Sequence, residues 1–112
     1  MRRFFLDFAP AGIFLFLIAP ALPASVRAQS NAAKIFKTNC VLCHAADGSG
    51  NSPVGKALGA KNLTSSEVRK ISDKELTVVI TKGKGKMPAW GAKLKPEDIK
   101  QLLAFIRALP KK

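Results

Sequence analysis

Both cysteines of this 112-residue chain and its single histidine fall within five consecutive residues, Cys40-Val41-Leu42-Cys43-His44. No other feature restricts the fold as much, because three strong ligating side chains must act from one short segment. Two thiols three residues apart span about one helical turn, and the next residue aims its imidazole from one face. A redox dithiol uses the same Cys-x-x-Cys spacing, but within a strand-and-helix frame that this sequence lacks. A structural zinc ion needs four ligands, and beyond these three the chain has no other Cys or His. The pattern is the signature for covalent haem attachment. Cys40 and Cys43 then form thioethers to the two vinyl groups on one side of a porphyrin, and His44 ligates the iron.

A second ligand is legible further along. Apart from the initiator, Met87 is the only methionine, and it follows His44 by 43 residues. It stands in Lys82 to Trp90 (KGKGKMPAW), a loop kept irregular by Gly83, Gly85 and Pro88. Methionine often fills gaps in a core, and a glycine-rich loop is a poor place for that role. Histidine and methionine on opposite faces make a six-coordinate iron of the electron-transfer type, and the thioether raises the potential. A second histidine ligand from the same chain is excluded, because His44 is alone. The expected set is therefore Cys40, Cys43, His44 and Met87 for one haem c, with His44 and Met87 as the metal ligands. No position on the iron is left for a substrate, so neither catalysis nor a small-molecule substrate is expected.

The first 28 residues read as an export segment rather than part of a domain. Arg2 and Arg3 give a positive start, Ala11 to Ala19 is an apolar run of signal-peptide length, and Val26-Arg27-Ala28 suits a cut after Ala28. A membrane anchor is the alternative, but a spanning helix wants about 20 apolar residues, and Pro10, Pro20 and Pro23 crowd this stretch. Arg2-Arg3-Phe4-Phe5-Leu6 looks like a twin-arginine signal. The expected organisation is a signal peptide over 1–28, one domain over 29–112, and a periplasmic location.

Of 19 basic residues, Arg2, Arg3 and Arg27 precede that cut and leave 16. Of seven acidic residues, Asp7 precedes it and leaves six, so the mature chain carries +10. Such a charge predicts acidic protein partners or surfaces. The lysines are scattered over the domain, and with export this argues against nucleic acid. The mature aromatics are Phe36, Trp90 and Phe105 alone. So small a domain buries a limited fraction of its surface, and a cofactor is needed to fill its centre.

Helical patterns dominate the rest. Asn31 is an expected cap for a helix over Ala32 to Cys40. Gly48 to Pro53 is turn chemistry, and Val54 to Lys70 is mixed, with a short helix near Ser65 to Lys70. Ser72-Asp73-Lys74-Glu75 reads as a capping box. The helix behind it puts Leu76, Val79 and Ile80 on one face and stops at Gly83. Pro96, Glu97 and Asp98 open a last helix with Ile99, Leu102, Leu103, Ile106 and Leu109 at helical spacing, ended by Pro110. The fold class is all-α, a small helical domain wrapped around one covalently bound haem.

From about Asn31 to Leu109 the chain resembles class I cytochromes c, especially short bacterial and algal electron carriers. The resemblance rests on Cys40-Val41-Leu42-Cys43-His44, on Lys86-Met87-Pro88-Ala89-Trp90, and on the order of the helices. It implies a tight crossing of first and last helices, with Phe36 four residues before the first cysteine and with Leu102 and Phe105 opposite. Where a glycine is usual the chain has Ala32, so the crossing must admit one more methyl or open slightly. The resemblance also implies that the Pro53 carbonyl receives the outer N–H of His44. It implies haem attachment after export of an unfolded chain as well, which favours the general secretory route over the twin-arginine one. Trp90 packs on the porphyrin face or fills the core. Lys82, Lys84 and Lys86 either ring the haem edge with positive charge or form a solvated loop.

The function expected is that of a soluble, monomeric carrier that shuttles single electrons between redox partners, with membrane complexes as donor or acceptor. The alternatives are a haem subunit docked permanently to a dehydrogenase or oxidase, and a peroxidase-like protein in which Met87 leaves the iron.

Overall fold

The computed structural model describes Gly12 and residues 17–112. Most of the expected export segment, residues 1–11 and 13–16, lies outside the described residues. Among the described residues six helices follow in order: α1 (Ala24–Asn39), α2 (Val41–His44), α3 (Pro53–Leu58), α4 (Ser66–Lys70), α5 (Asp73–Lys82) and α6 (Pro96–Ala108). Among the described residues no strand is formed; an isolated antiparallel bridge joins Lys84 and Met87. No helix among them is long and apolar enough to cross a membrane.

The first helix starts earlier than its expected cap. Pro23, in extended backbone, precedes Ala24, and no side chain caps the helix. Ala24, Arg27, Ala28 and Gln29 are good helix formers, so nothing halts propagation toward the N-terminus. Asn31 is used differently: its side-chain amide donates to Asp98 Oδ1 at 3.1 Å and to Gln101 Oε1 at 3.3 Å on α6. These bonds link α1 to α6, the most extensive helix pairing among the described residues. Ala32 is 1% exposed and Phe36 2%, so the extra methyl is taken up in close contact. The Phe36 and Phe105 rings meet at 5.3 Å with a 48° tilt, an arrangement that aromatic quadrupoles favour.

The two later helices follow their local signals. Ser72 Oγ accepts from the Glu75 amide and Glu75 Oε2 accepts from the Ser72 amide, each at 3.2 Å. Together these bonds start α5 at Asp73. Gly83, at φ +75°, ends it. Pro96 opens α6, and Asp98 Oδ2 accepts the Lys95 amide at 3.1 Å. Ile99, Leu102, Leu103 and Ile106 are buried. Of these, Ile99, Leu102 and Ile106 form the core cluster with Phe36 and Ile80, each worth about 1.5–3 kcal/mol when fully removed from water.

One helix lies where mixed structure was expected. Ser52 Oγ accepts from the Gly55 amide at 2.9 Å, and Pro53 takes the first position of α3, where its missing N–H costs nothing. The same Ser-Pro pair that reads as a turn is thus a helix start. Helix α4 is capped by Ser65 and fastened to the end of α6 by two arginines. Arg69 donates to Arg107 O at 3.1 Å and Leu109 O at 2.6 Å. Arg107 donates to Ile71 O and pairs with Asp73 at 2.9 Å.

Candidate functional site

Between α5 and α6 lies an apolar cleft that holds, with the solvent at its mouth, about 490 Å³ of space. Val79 and Ile80 come from α5, Leu102 and Ile106 from α6, and Leu63 and Val68 close one end. Cys40 and Met87, remote in sequence, both line it, and Trp90 forms part of the wall. Cys43 and His44 are not lining residues; they stand half-buried on α2, the turn that continues from Cys40. Trp90 also packs on the core, and the Lys93 ammonium sits 5.4 Å from its ring centroid.

Helix α2 begins as α1 ends. The Cys40 amide bonds Phe36 O at 2.9 Å, and the His44 amide bonds Cys40 O at 2.9 Å. Both thiols and the imidazole therefore ride on one continuous helical path. Glycine makes room beside them. A Cβ on Gly55 would strike the Cys43 carbonyl and lie 2.6 Å from Gly50 O, so α3 rests on α2 backbone to backbone. Ser52 Oγ adds a bond to Leu42 O at 2.7 Å.

The His44 ring corrects one expectation. Its Nδ1 meets the carbonyl of Lys61 at 3.0 Å, not that of Pro53. Pro53 is committed to the first turn of α3, while the loop after that helix folds back toward α2. The Ala60 amide donates to Gly55 O at 2.8 Å and the Leu63 amide to Gly48 O at 2.7 Å, which delivers the Lys61 carbonyl to the ring. A carbonyl can only accept, so Nδ1 carries the proton and Nε2 keeps its lone pair for a metal.

The Cys40 thiol is pushed up to about 11, first by burial and then by the neighbouring Cys43. Both cysteines are free of disulfides. Met87 occupies a tight turn in which Lys84 and Met87 exchange backbone bonds of 3.1 and 3.0 Å. Trp90 and Gly91 then tie the chain back to Ile80 O and Thr81 O at 2.9 and 3.0 Å. Lys82, Lys84 and Lys86 are all exposed.

These residues fit a haem. Two thiols sit one turn apart, an imidazole has its Nε2 free, a thioether faces the cleft and the walls are apolar. No group of three His, Cys, Asp or Glu among the described residues is arranged to hold a bare metal ion. The residues missed from sequence are Ser52, Gly55, Lys61, Arg69 and Arg107. Apart from the close approach of Gly55, each acts largely through backbone carbonyls, which leave no pattern in a sequence.

Residues 27–106 match the family model described as cytochrome c oxidase, cbb3-type, subunit III. The chain is 39% identical over 94 residues to the Cbb3-type cytochrome c oxidase subunit FixP of Azorhizobium caulinodans, covering 82% of this chain and 31% of that protein. It is 36% identical over 100 residues to cytochrome c6 of a Nostoc species, covering 85% and 83% respectively. The chain thus spans about a third of the first relative and most of the second. Among solved structures, the KustC0563 c-type cytochrome aligns with a TM-score of 0.66 at 31% identity, covering 72% of this chain and 98% of that one. A family model that spans most of the chain, and relatives that share its length, lead to one assignment: this chain belongs to the cytochrome c family.

Proposed function

We propose that this chain is a single-haem electron carrier in which Cys40 and Cys43 tether the haem and His44 and Met87 ligate its iron. A cytochrome c domain carries covalently bound haem c with iron and transfers electrons. What supports the residue assignment is one juxtaposition: Cys40 and Met87 face the same apolar cleft, and His44, one turn from Cys40, has its Nε2 available. When bound, the haem supplies a one-electron couple at its iron.

The protein's own residues do the rest. Val79, Ile80, Leu102 and Ile106 keep water from the cleft, so little solvent must reorganise when charge changes. The Lys61 carbonyl holds the proton on Nδ1 and fixes the ring, as partners of ligating histidines commonly do. The Met87 thioether raises the potential. With His44 and Met87 both holding the iron, substrates would be kept from it, and the protein would carry electrons rather than catalyse. Residues 1–28 act as an export signal removed after Ala28, and the mature chain is a periplasmic monomer. Its charge steers it to acidic redox partners, not nucleic acid.

A purified holoprotein tests this directly. It should give a c-type reduced-minus-oxidised spectrum, keep its pigment in acidic acetone, and show the sulfur-to-iron band of a Met-ligated ferric haem. Pigment lost to acetone removes the tethers, and ready binding of carbon monoxide removes Met87. Electron transfer to an acidic partner should slow steeply with salt; a flat profile removes charge steering. A second reading, a haem subunit docked to an oxidase, is favoured by the family model and the FixP match. The match to cytochrome c6 favours the carrier. Copurification with a membrane complex at fixed stoichiometry would decide for the subunit.

A further inference from the structure

The imidazole of His44 is oriented by a single acceptor, the Lys61 carbonyl, and Lys61 has no backbone restraint of its own. Its Nζ contact with Glu67, at 3.4 Å between two largely exposed side chains, is worth little. The carbonyl must therefore be held by its neighbours. On the upstream side the Ala60 amide bonds Gly55 O. On the downstream side Asn62 Oδ1 accepts from the Thr64 amide at 2.9 Å and from Thr64 Oγ1 at 2.8 Å, and Thr64 is 2% exposed. The Thr64 carbonyl in turn accepts from Arg69 Nε at 3.2 Å. The same guanidinium bonds Arg107 O and Leu109 O at the end of α6, the helix that walls the cleft. One planar, rigid fork thus joins the loop that orients the histidine to the helix that lines the cleft.

We propose that Arg69 is a positioning residue for the axial histidine, holding the Ala60–Thr64 loop, and with it the Lys61 carbonyl, in register with α6. The proposal rests on His44 being an iron ligand. Arg107 is the internal control. It fastens the same α4 to α6 through Val68 O, Arg69 O and Ile71 O, and reaches Asp73 at the start of α5, but makes no bond to the loop at Thr64.

The experiment compares Arg69→Met, Arg69→Lys and Arg107→Met in the full-length holoprotein. It reads amide exchange at Leu63, exchange of the His44 ring N–H, and reduction potential. In Arg69→Met, exchange at Leu63 and at the ring N–H should rise about tenfold or more, the factor carried by one hydrogen bond from a charged group. The potential should move upward, because a weaker bond at Nδ1 makes the imidazole a poorer donor. Arg69→Lys, which keeps charge but not the fork, should fall between. Arg107→Met should leave the ring N–H and the potential unchanged. Equal effects from Arg69→Met and Arg107→Met, or an unmoved ring N–H in Arg69→Met, overturn the proposal. If Arg69→Met does not fold, Arg69→Lys decides by the same comparison. Ligation itself is read in the unmutated ferric protein from the paramagnetic shift of the His44 ring. Absence of that shift ends the ligand reading, whereas a shift present but insensitive to Arg69 ends only the positioning role.

Discussion

The segment around His44 and the loop around Met87, which lines the cleft, are held differently. On the histidine side, α3 packs on the α2 backbone through Gly55, Ser52 reaches Leu42 O, the Gly50 amide bonds His44 O at 2.8 Å, and Lys61 O meets the ring. Restraint comes from several directions, and no volume is spare. On the methionine side, the Lys84–Met87 turn closes on itself, and Trp90 and Gly91 anchor its return to α5. Gly85 and Lys86 at its tip are exposed. The contrast indicates that His44 is built into the fold, while Met87 is presented by a loop with an exposed tip. Substitutions should separate the two.

The largest effect belongs to Gly55→Ala. The added methyl would meet Cys43 O, Gly50 O and Ser52 Oγ, and backbone atoms cannot swing away as side-chain ends can. Overpacking of this kind should cost about 3 kcal/mol, read as a lower urea midpoint at unchanged slope. A loss below about 1 kcal/mol would mean that α3 can lift from α2 and that the histidine side is not rigid. Met87→Ala comes next. Trimming a half-buried methionine should cost about 2 kcal/mol, lower the reduction potential, and let carbon monoxide bind. An unchanged potential would show that the loop supplies no ligand. Gly85→Ala should be milder still. Its Cβ would meet nothing within 4 Å, but its φ of +56° is left-handed, which costs about 1 kcal/mol for a side-chain-bearing residue. If Gly85→Ala matched Gly55→Ala, the difference between the two sides would disappear.

How much of this could be read beforehand follows from where the information sits. Helices α5 and α6 announce themselves because their stop and start groups are side chains: the Ser72–Glu75 box, Gly83, Pro96 and Asp98. The proposed ligand set rests on residue identities, Cys-x-x-Cys-His and a solitary Met87. The start of α1 is not, since Asn31 has two uses and tertiary bonding to Asp98 and Gln101 wins over capping. Helix α3 hides because Ser52-Pro53 suits a turn and a helix start equally well. The histidine's acceptor is hidden most deeply. Every residue offers a carbonyl, and only the path of the chain after Gly59 decides that Lys61, rather than Pro53, presents the one that counts.

The smallest effect sharpens the comparison at the histidine side's outer edge. Asp47, just beyond α2, has its carboxyl held below the usual carboxylate range, first by the Lys112 ammonium at 2.8 Å and then by Ser49, whose amide it accepts at 3.0 Å. This contact ties the C-terminal end to the loop that follows His44. Because the folded carboxyl is the stronger acid, its contribution is complete above the unfolded value near 3.9. It is lost as the pH falls below that value and the native carboxylate is protonated. Asp47→Asn keeps an acceptor for the Ser49 amide and removes only the charge. The variant should therefore melt slightly below the unmutated protein at pH 7, and the gap should close as the pH drops below about 4. Added salt should shrink the gap at neutral pH, since both partners are solvated. A gap that persisted unchanged at pH 3 would place the effect of Asp47 in the Ser49 turn rather than in the Lys112 pair, and the tether from the C-terminus would then add nothing to the histidine side.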